Sequence, residues 1–166
     1  MNKPLPLPDC AETVAIRAVC DLLRSDPTLR RLGVRLWDWS GQTRDNFHEP
    51  TPADLPLILV DIDPAGSDWL SSNQHQVNLP IKISACVGSG LAVDALNFWG
   101  AIRNALFPVD VARSAIVEGR LVNVMGPRTL TQQGTGITPL AGDLQALHVA
   151  GVLTVQLHVN TLAYPS

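Results

Sequence analysis

The sequence predicts an α+β fold: a mainly antiparallel mixed sheet with two principal helices packed on it. Three observations carry this. Two segments, 9–24 and 91–107, place apolar residues at helical spacing; two others, 75–87 and 145–160, alternate apolar and polar residues over a length no loop needs; and Leu57-Ile58-Leu59-Val60 is apolar on both faces. The chain has 166 residues, 46% of them hydrophobic and 16% charged, which suits one domain with a real core. Its 13 prolines and 12 glycines fall mostly at 1–8, an N-terminal arm, and at 40–56, 63–74 and 126–144, the last two read as extended loops. No boundary between two cores is visible, so 1–166 reads as a single domain.

The first helix has a readable start. Asp9 can accept hydrogen bonds from the free N–H groups of the first turn, and Glu12 can return the bond in a capping box. Ile16, Val19, Cys20 and Leu23 then form one apolar stripe. Pro27 lacks an amide proton and biases Asp26 away from helical geometry, which ends the helix; Thr28 to Leu32 adds one further turn. Residues 34–39 read as a strand, with Val34 and Leu36 on one face and Arg35, Trp37 and Trp39 on the other. That second face either shields the far side of the sheet or offers a protein-contact patch, since aromatic residues and arginine are enriched where interfaces desolvate.

The apolar strand at 55–62 is expected in the middle of the sheet. The strand at 75–87 sets Val77, Leu79, Ile81, Ile83, Ala85 and Val87 against Gln76, Asn78, Lys82 and Ser84, giving one dry and one wetter face. The two are expected to form an antiparallel hairpin with an extended tip, where Trp69 and Leu70 either dock onto a neighbour or fold back on the sheet. Ser89 reads as the cap of the second helix, whose stripe of Ala95, Phe98, Trp99, Ile102 and Leu106 should pack on the dry face despite Gly100. Phe107-Pro108 ends it, and Leu121 to Met125 reads as a short strand stopped by Gly126-Pro127. The last strand alternates cleanly from Leu147 to Val159. Strands usually run roughly five or six residues, so this one either extends beyond the sheet of its own chain or is broken by a bulge at Gly151.

Chemistry is sparse. The three cysteines, Cys10, Cys20 and Cys86, lack the paired short spacings of zinc sites or disulfide frameworks and read as buried free thiols. His148 and His158 share a strand face, but ten residues at about 3.3 Å each separate them by roughly 33 Å, too far for one metal ion. Asp61 and Asp63 could pair as carboxylates, yet Asp-x-Asp-Pro-x-Gly is equally a strand-to-turn exit. No nucleophile elbow or phosphate loop is present, and no catalytic, cofactor-binding or metal residue is assigned. A net charge of −3, with Arg30-Arg31 the adjacent basic pair, gives no stripe for sequence-specific nucleic-acid binding. No stretch reads as a signal peptide or membrane span, so the protein is expected to be made in the cytoplasm and kept or assembled there.

Taken in order, Leu22-Leu23-Arg24-Ser25-Asp26-Pro27-Thr28-Leu29, Val34-Arg35-Leu36-Trp37, Leu55-Pro56-Leu57-Ile58-Leu59-Val60, the strand Val77 to Val87, the helix Ala95 to Leu106 and the closing Gly151-Val152-Leu153-Thr154-Val155-Gln156-Leu157 resemble the small tail terminator and tail-completion proteins of tailed bacteriophages. The resemblance lies in layout and residue texture over nearly the whole chain; segment 126–144 is longer and richer in Gly and Thr than the compact members. It implies a non-enzymatic virion protein of the tail and neck: a homo-oligomeric ring, commonly a hexamer, that caps the head-proximal end of the tail tube and offers a surface to the head connector and other neck proteins. DNA would pass through such a ring without sequence-specific binding, and no cofactor or membrane partner is implied. Partner-contact candidates are Trp37, Trp39, Trp69, Leu70, Ile137 and Leu140. Alternatives are another neck or head-closure protein of the same particle and, outside that class, a peptide-binding adaptor or a small hydrolase-like enzyme. The enzyme would need His48, His75, His148 or His158 beside Asp61 and Asp63.

Overall fold

A computed structural model describes residues 11–38, 50–62, 68–69, 75–107 and 128–159. Helix α1 (Ala11–Ser25) is followed by the short helix α2 (Pro27–Arg31), strand β1 (Arg35–Asp38), a 3₁₀ turn (Pro52–Asp54) and strand β2 (Leu57–Ile62). Strands β3 (Asp68–Trp69) and β4 (His75–Val87), helix α3 (Ala92–Leu106), and strands β5 (Arg128–Leu140) and β6 (Leu144–Val159) complete the order. The sheet runs β1-β2-β4-β6-β5, and β3 pairs with β4 beyond the stretch that β2 occupies. The β1–β2 pair is parallel and the others are antiparallel, so the α+β class with a mainly antiparallel mixed sheet and two long helices is borne out.

The periodicities decide which face is which. In α1 the stripe Ile16, Val19, Cys20 and Leu23 is buried, and in α3 so are Ala95, Phe98, Trp99, Ile102 and Leu106. Both stripes join one cluster with Ile58 and Val60 of β2, Leu79, Ile81, Ile83, Ala85 and Val87 of β4, and Val149, Leu153 and Val155 of β6. The helices therefore lie together on one side of the sheet. Val34 and Leu36 pack against the same cluster, placing Arg35 on the opposite side. On that opposite side a smaller cluster of Leu57, Cys86, Leu140 and Ala146 is flanked by Leu55 and Leu59. β2 is dry on both faces, as its unbroken apolar run predicts.

Local chemistry sets the connections. Asp26 caps α2, its carboxylate accepting from the N–H groups of Thr28 and Leu29 at 2.9 Å each. At the other end Gly33 takes a φ of 66°, which allows a Schellman closure: Gly33 donates to the Arg30 carbonyl and Val34 to that of Leu29. α3 starts later than Ser89 suggests. Leu91 occupies its cap without a side-chain bond, while the Ser89 hydroxyl accepts the Leu91 N–H at 3.4 Å. The expected Asp9 cap and the strand at 121–125 lie outside the described residues.

The expectation that fails is the loop at 126–144. From Arg128 to Leu140 it is strand β5, joined to β6 by a three-residue turn in which Gly142 and Asp143 both adopt positive φ. Its alternation is hidden by a bulge: Gln132 pairs with Gly151 and Gly134 with Ala150, leaving Gln133 extra and shifting the phase of everything after it. The irregularity expected at Gly151 is thus on the partner strand. Nor is β6 an edge, despite its length; it runs unbroken between β4 and β5.

Candidate functional site

Three places hold polar or exposed groups in an organised way. The first is a clip at the start of β1. Arg35 donates from Nη1 to Asp54 Oδ1 at 2.8 Å, and Asp54 Oδ2 accepts from the Thr51 N–H and hydroxyl, each at 2.8 Å. The Asp54 side chain is 8% exposed and Arg35 62%, so a nearly buried carboxylate is held by three donors and neutralised by a cation with its outer side in water. With the Arg35 N–H donating to the Pro56 carbonyl at 3.0 Å, the clip fixes the entry of β2 beside β1. Its chemistry is positional.

The second lies on the face away from the helices. Cys86 and His148 are directly opposed on β4 and β6, and Thr138 of β5 joins them: its hydroxyl lies 2.7 Å from His148 Nδ1 and 3.5 Å from Cys86 Sγ. The imidazole rests on Gly136, where an added Cβ would stand 2.8 Å from Nε2. Burial pushes the Cys86 thiol up from its ordinary pKa, only partly opposed by the Thr138 hydrogen bond. Burial lowers the His148 pKa, and the Lys82 ammonium adds to that. A buried thiol kept protonated and a neutral imidazole make a poor nucleophile–base pair, because the thiolate is the reactive species. The chain Cys86–Thr138–His148 instead ties three strands together.

The third is an open groove of about 450 Å³ between α2 and the outer side of α3, lined by Asp26, Thr28, Leu96, Asn97, Gly100 and Arg103 among others. Val93 and Leu96 are exposed along α3, with Leu91 exposed at its N-terminal cap and Phe107 at its end. None of these lies on the buried stripe. The sequence reading missed this surface; a leucine at 96, off the helical stripe of Ala95, Phe98, Trp99, Ile102 and Leu106, is the signal that could have found it.

The described partner-contact candidates fall on separate strands. Trp37 lies on β1 in register with Leu59, and Trp69 on β3 in register with Val77. Ile137 stands on β5, 60% exposed. Trp39 and Leu70 fall outside the described residues. Leu140 is a correction: at 4% exposure it is sealed into the cluster with Leu57, Cys86 and Ala146, because 126–144 folds as a strand whose last residue meets the core. Among the described residues the carboxylate–histidine constellation does not assemble. Asp61 is in register with Lys82 and, through it, Val152, four residues along β6 from His148. That places the pair roughly 16 Å apart. His75 and His158 lie at the far end of the sheet from His148, opposite Val159 and Gln76, and Asp63 and His48 are outside the described residues. Cys20 and Cys86 are buried and in no disulfide, in keeping with the sequence reading; Cys10 is outside the described residues.

Among the described residues no three His, Cys, Asp or Glu side chains gather to hold a metal ion, and no helix is long and apolar enough to cross a membrane. No protein-family model matches the chain, and a search of curated proteins finds no match.

Proposed function

We infer that this chain is a non-enzymatic assembly protein: a tail terminator whose copies form a ring, hexameric in the family it resembles, capping the head-proximal end of a phage tail tube and joining it to the head connector. It would reside in the neck of the virion after assembly in the host cytoplasm. The observation that supports this reading is where the exposed apolar side chains sit. Around a finished core, Val93 and Leu96 stand out along α3, Leu91 stands out at its cap, and Ile137 and Leu144 stand out on the β5–β6 hairpin. Apolar groups exposed on more than one element suit a subunit that meets several partners, since burial of such groups drives association. A ring subunit at the end of a tube has neighbours on two sides, the tube below and the connector above. The acidic balance, −3 overall, suits a channel that lets DNA pass without holding it.

The test is the mass in solution, by light scattering coupled to size exclusion at several concentrations, with and without purified tail tube protein. A discrete ring, formed alone or on addition of tube protein, is the expected result. A chain that stays monomeric and ignores the tube would overturn the reading.

A further inference from the structure

The sheet ends in two unlike edges. β1 is four residues long and carries Arg35 and Asp38; β5 is thirteen, with no charged side chain from Thr129 to Leu140. Among the described residues neither strand has a partner on its outer side. Edge strands are usually guarded by lysine, by inward-pointing charge or by interruption. β5 has interruptions at the Gln132/Gly134 bulge and Pro139, but the run Gly134–Thr138 between them is unguarded and carries the exposed Ile137.

Strand direction adds a constraint. β1 runs with β2, β2 against β4, β4 against β6 and β6 against β5, so the two edges of one sheet run in opposite senses. When a second copy is set beside the first by rotation, its β1 meets β5 antiparallel, the more stable ladder. Two unlike edges also define a head-to-tail contact, which can close into a ring, whereas β5 meeting β5 closes as a pair and stops. Leu36 and Ile137, both on the helix side of the sheet, fall one on each edge: Leu36 packs against the helix-side cluster, and Ile137 is paired with Leu147, which does too.

We propose that the run Gly134–Thr138 of β5 receives β1 of the next copy as an added antiparallel strand, so that the sheet continues from copy to copy around the ring. This rests on the ring reading above. The ladder of four residues spans about 13 Å, and the contact between the Leu36 and Ile137 positions on the helix side completes the interface.

The experiment uses the full chain. In a Cys10→Ser background, protein carrying Leu36→Cys is mixed with protein carrying Ile137→Cys under mild oxidation. A disulfide-linked pair that forms on mixing, and much more slowly in either protein alone, is the expected result. Rapid self-linking of Ile137→Cys alone would mean paired β5 edges and overturn the proposal. In parallel, the Thr135→Lys/Ile137→Lys double variant, with its melting transition as the folding control, should lose the ring species seen for the wild type. If it keeps the ring, this pairing is overturned while the ring reading stands; if the wild type never assembles, with or without tube protein, the ring reading fails with it.

Discussion

Gly151 shows how one residue sets the packing of two layers. An alanine Cβ there would stand 2.6 Å from two ring atoms of Trp99 and 2.8 Å from the Thr131 carbonyl oxygen, so the indole of α3 occupies the gap that Gly151 leaves in β6. Neither the indole nor a β5 carbonyl can withdraw freely. Gly151→Ala should therefore destabilise the fold by about 1–3 kcal/mol, the usual cost of overpacking; urea unfolding should show a lower midpoint with an unchanged slope. His148 makes a pH-dependent contribution. Its folded pKa lies below the ordinary 6.5, so in the window just under 6.5 the unfolded chain binds more protons than the folded one. Stability is complete above that window and falls as pH drops through the lowered folded value. Unfolding free energy measured between pH 7.5 and 5 should decline, and His148→Gln should flatten the part of the decline nearest 6.5. The position of His148 in the alternation was legible, but its partners were not: Thr138 and Gly136 belong to a segment that reads as loop.

At the scale of elements, the long strands and both long helices were legible because each carries a single uninterrupted period. The exception, β5, has strand-forming Thr-x-Thr texture, but Gly134, Gly136 and the bulged Gln133 break its count of two. What makes it a strand is β6, whose whole length offers partners that no local window reveals. This arrangement predicts unequal amide protection. In the unassembled chain, β6 amides in the stretch shared with β4 and β5 should exchange slowly, while the β5 amides that point away from β6 exchange quickly. If β5 receives a strand on assembly, those same amides should slow by at least ten-fold, read by hydrogen-exchange mass spectrometry on the two forms.

For the molecule as a whole, the sheet carries the two long helices on one face and the small cluster on the other. The charge of −3 and the scattering of basic residues predict that neither monomer nor ring retains duplex DNA at physiological salt; a gel-shift titration that showed tight, salt-sensitive binding would contradict the channel reading. The sequence by itself determined the α+β class, the faces of α1, α3, β4 and β6 and the central place of β2, because hydrophobic period is a local property that burial enforces. Tertiary structure decided that 128–140 is a strand, that Leu140 is core while Ile137 is surface, that Cys86, Thr138 and His148 meet, and which strands are edges. These depend on pairing between residues far apart in the chain, and a strand's neighbours are not written in its own residues.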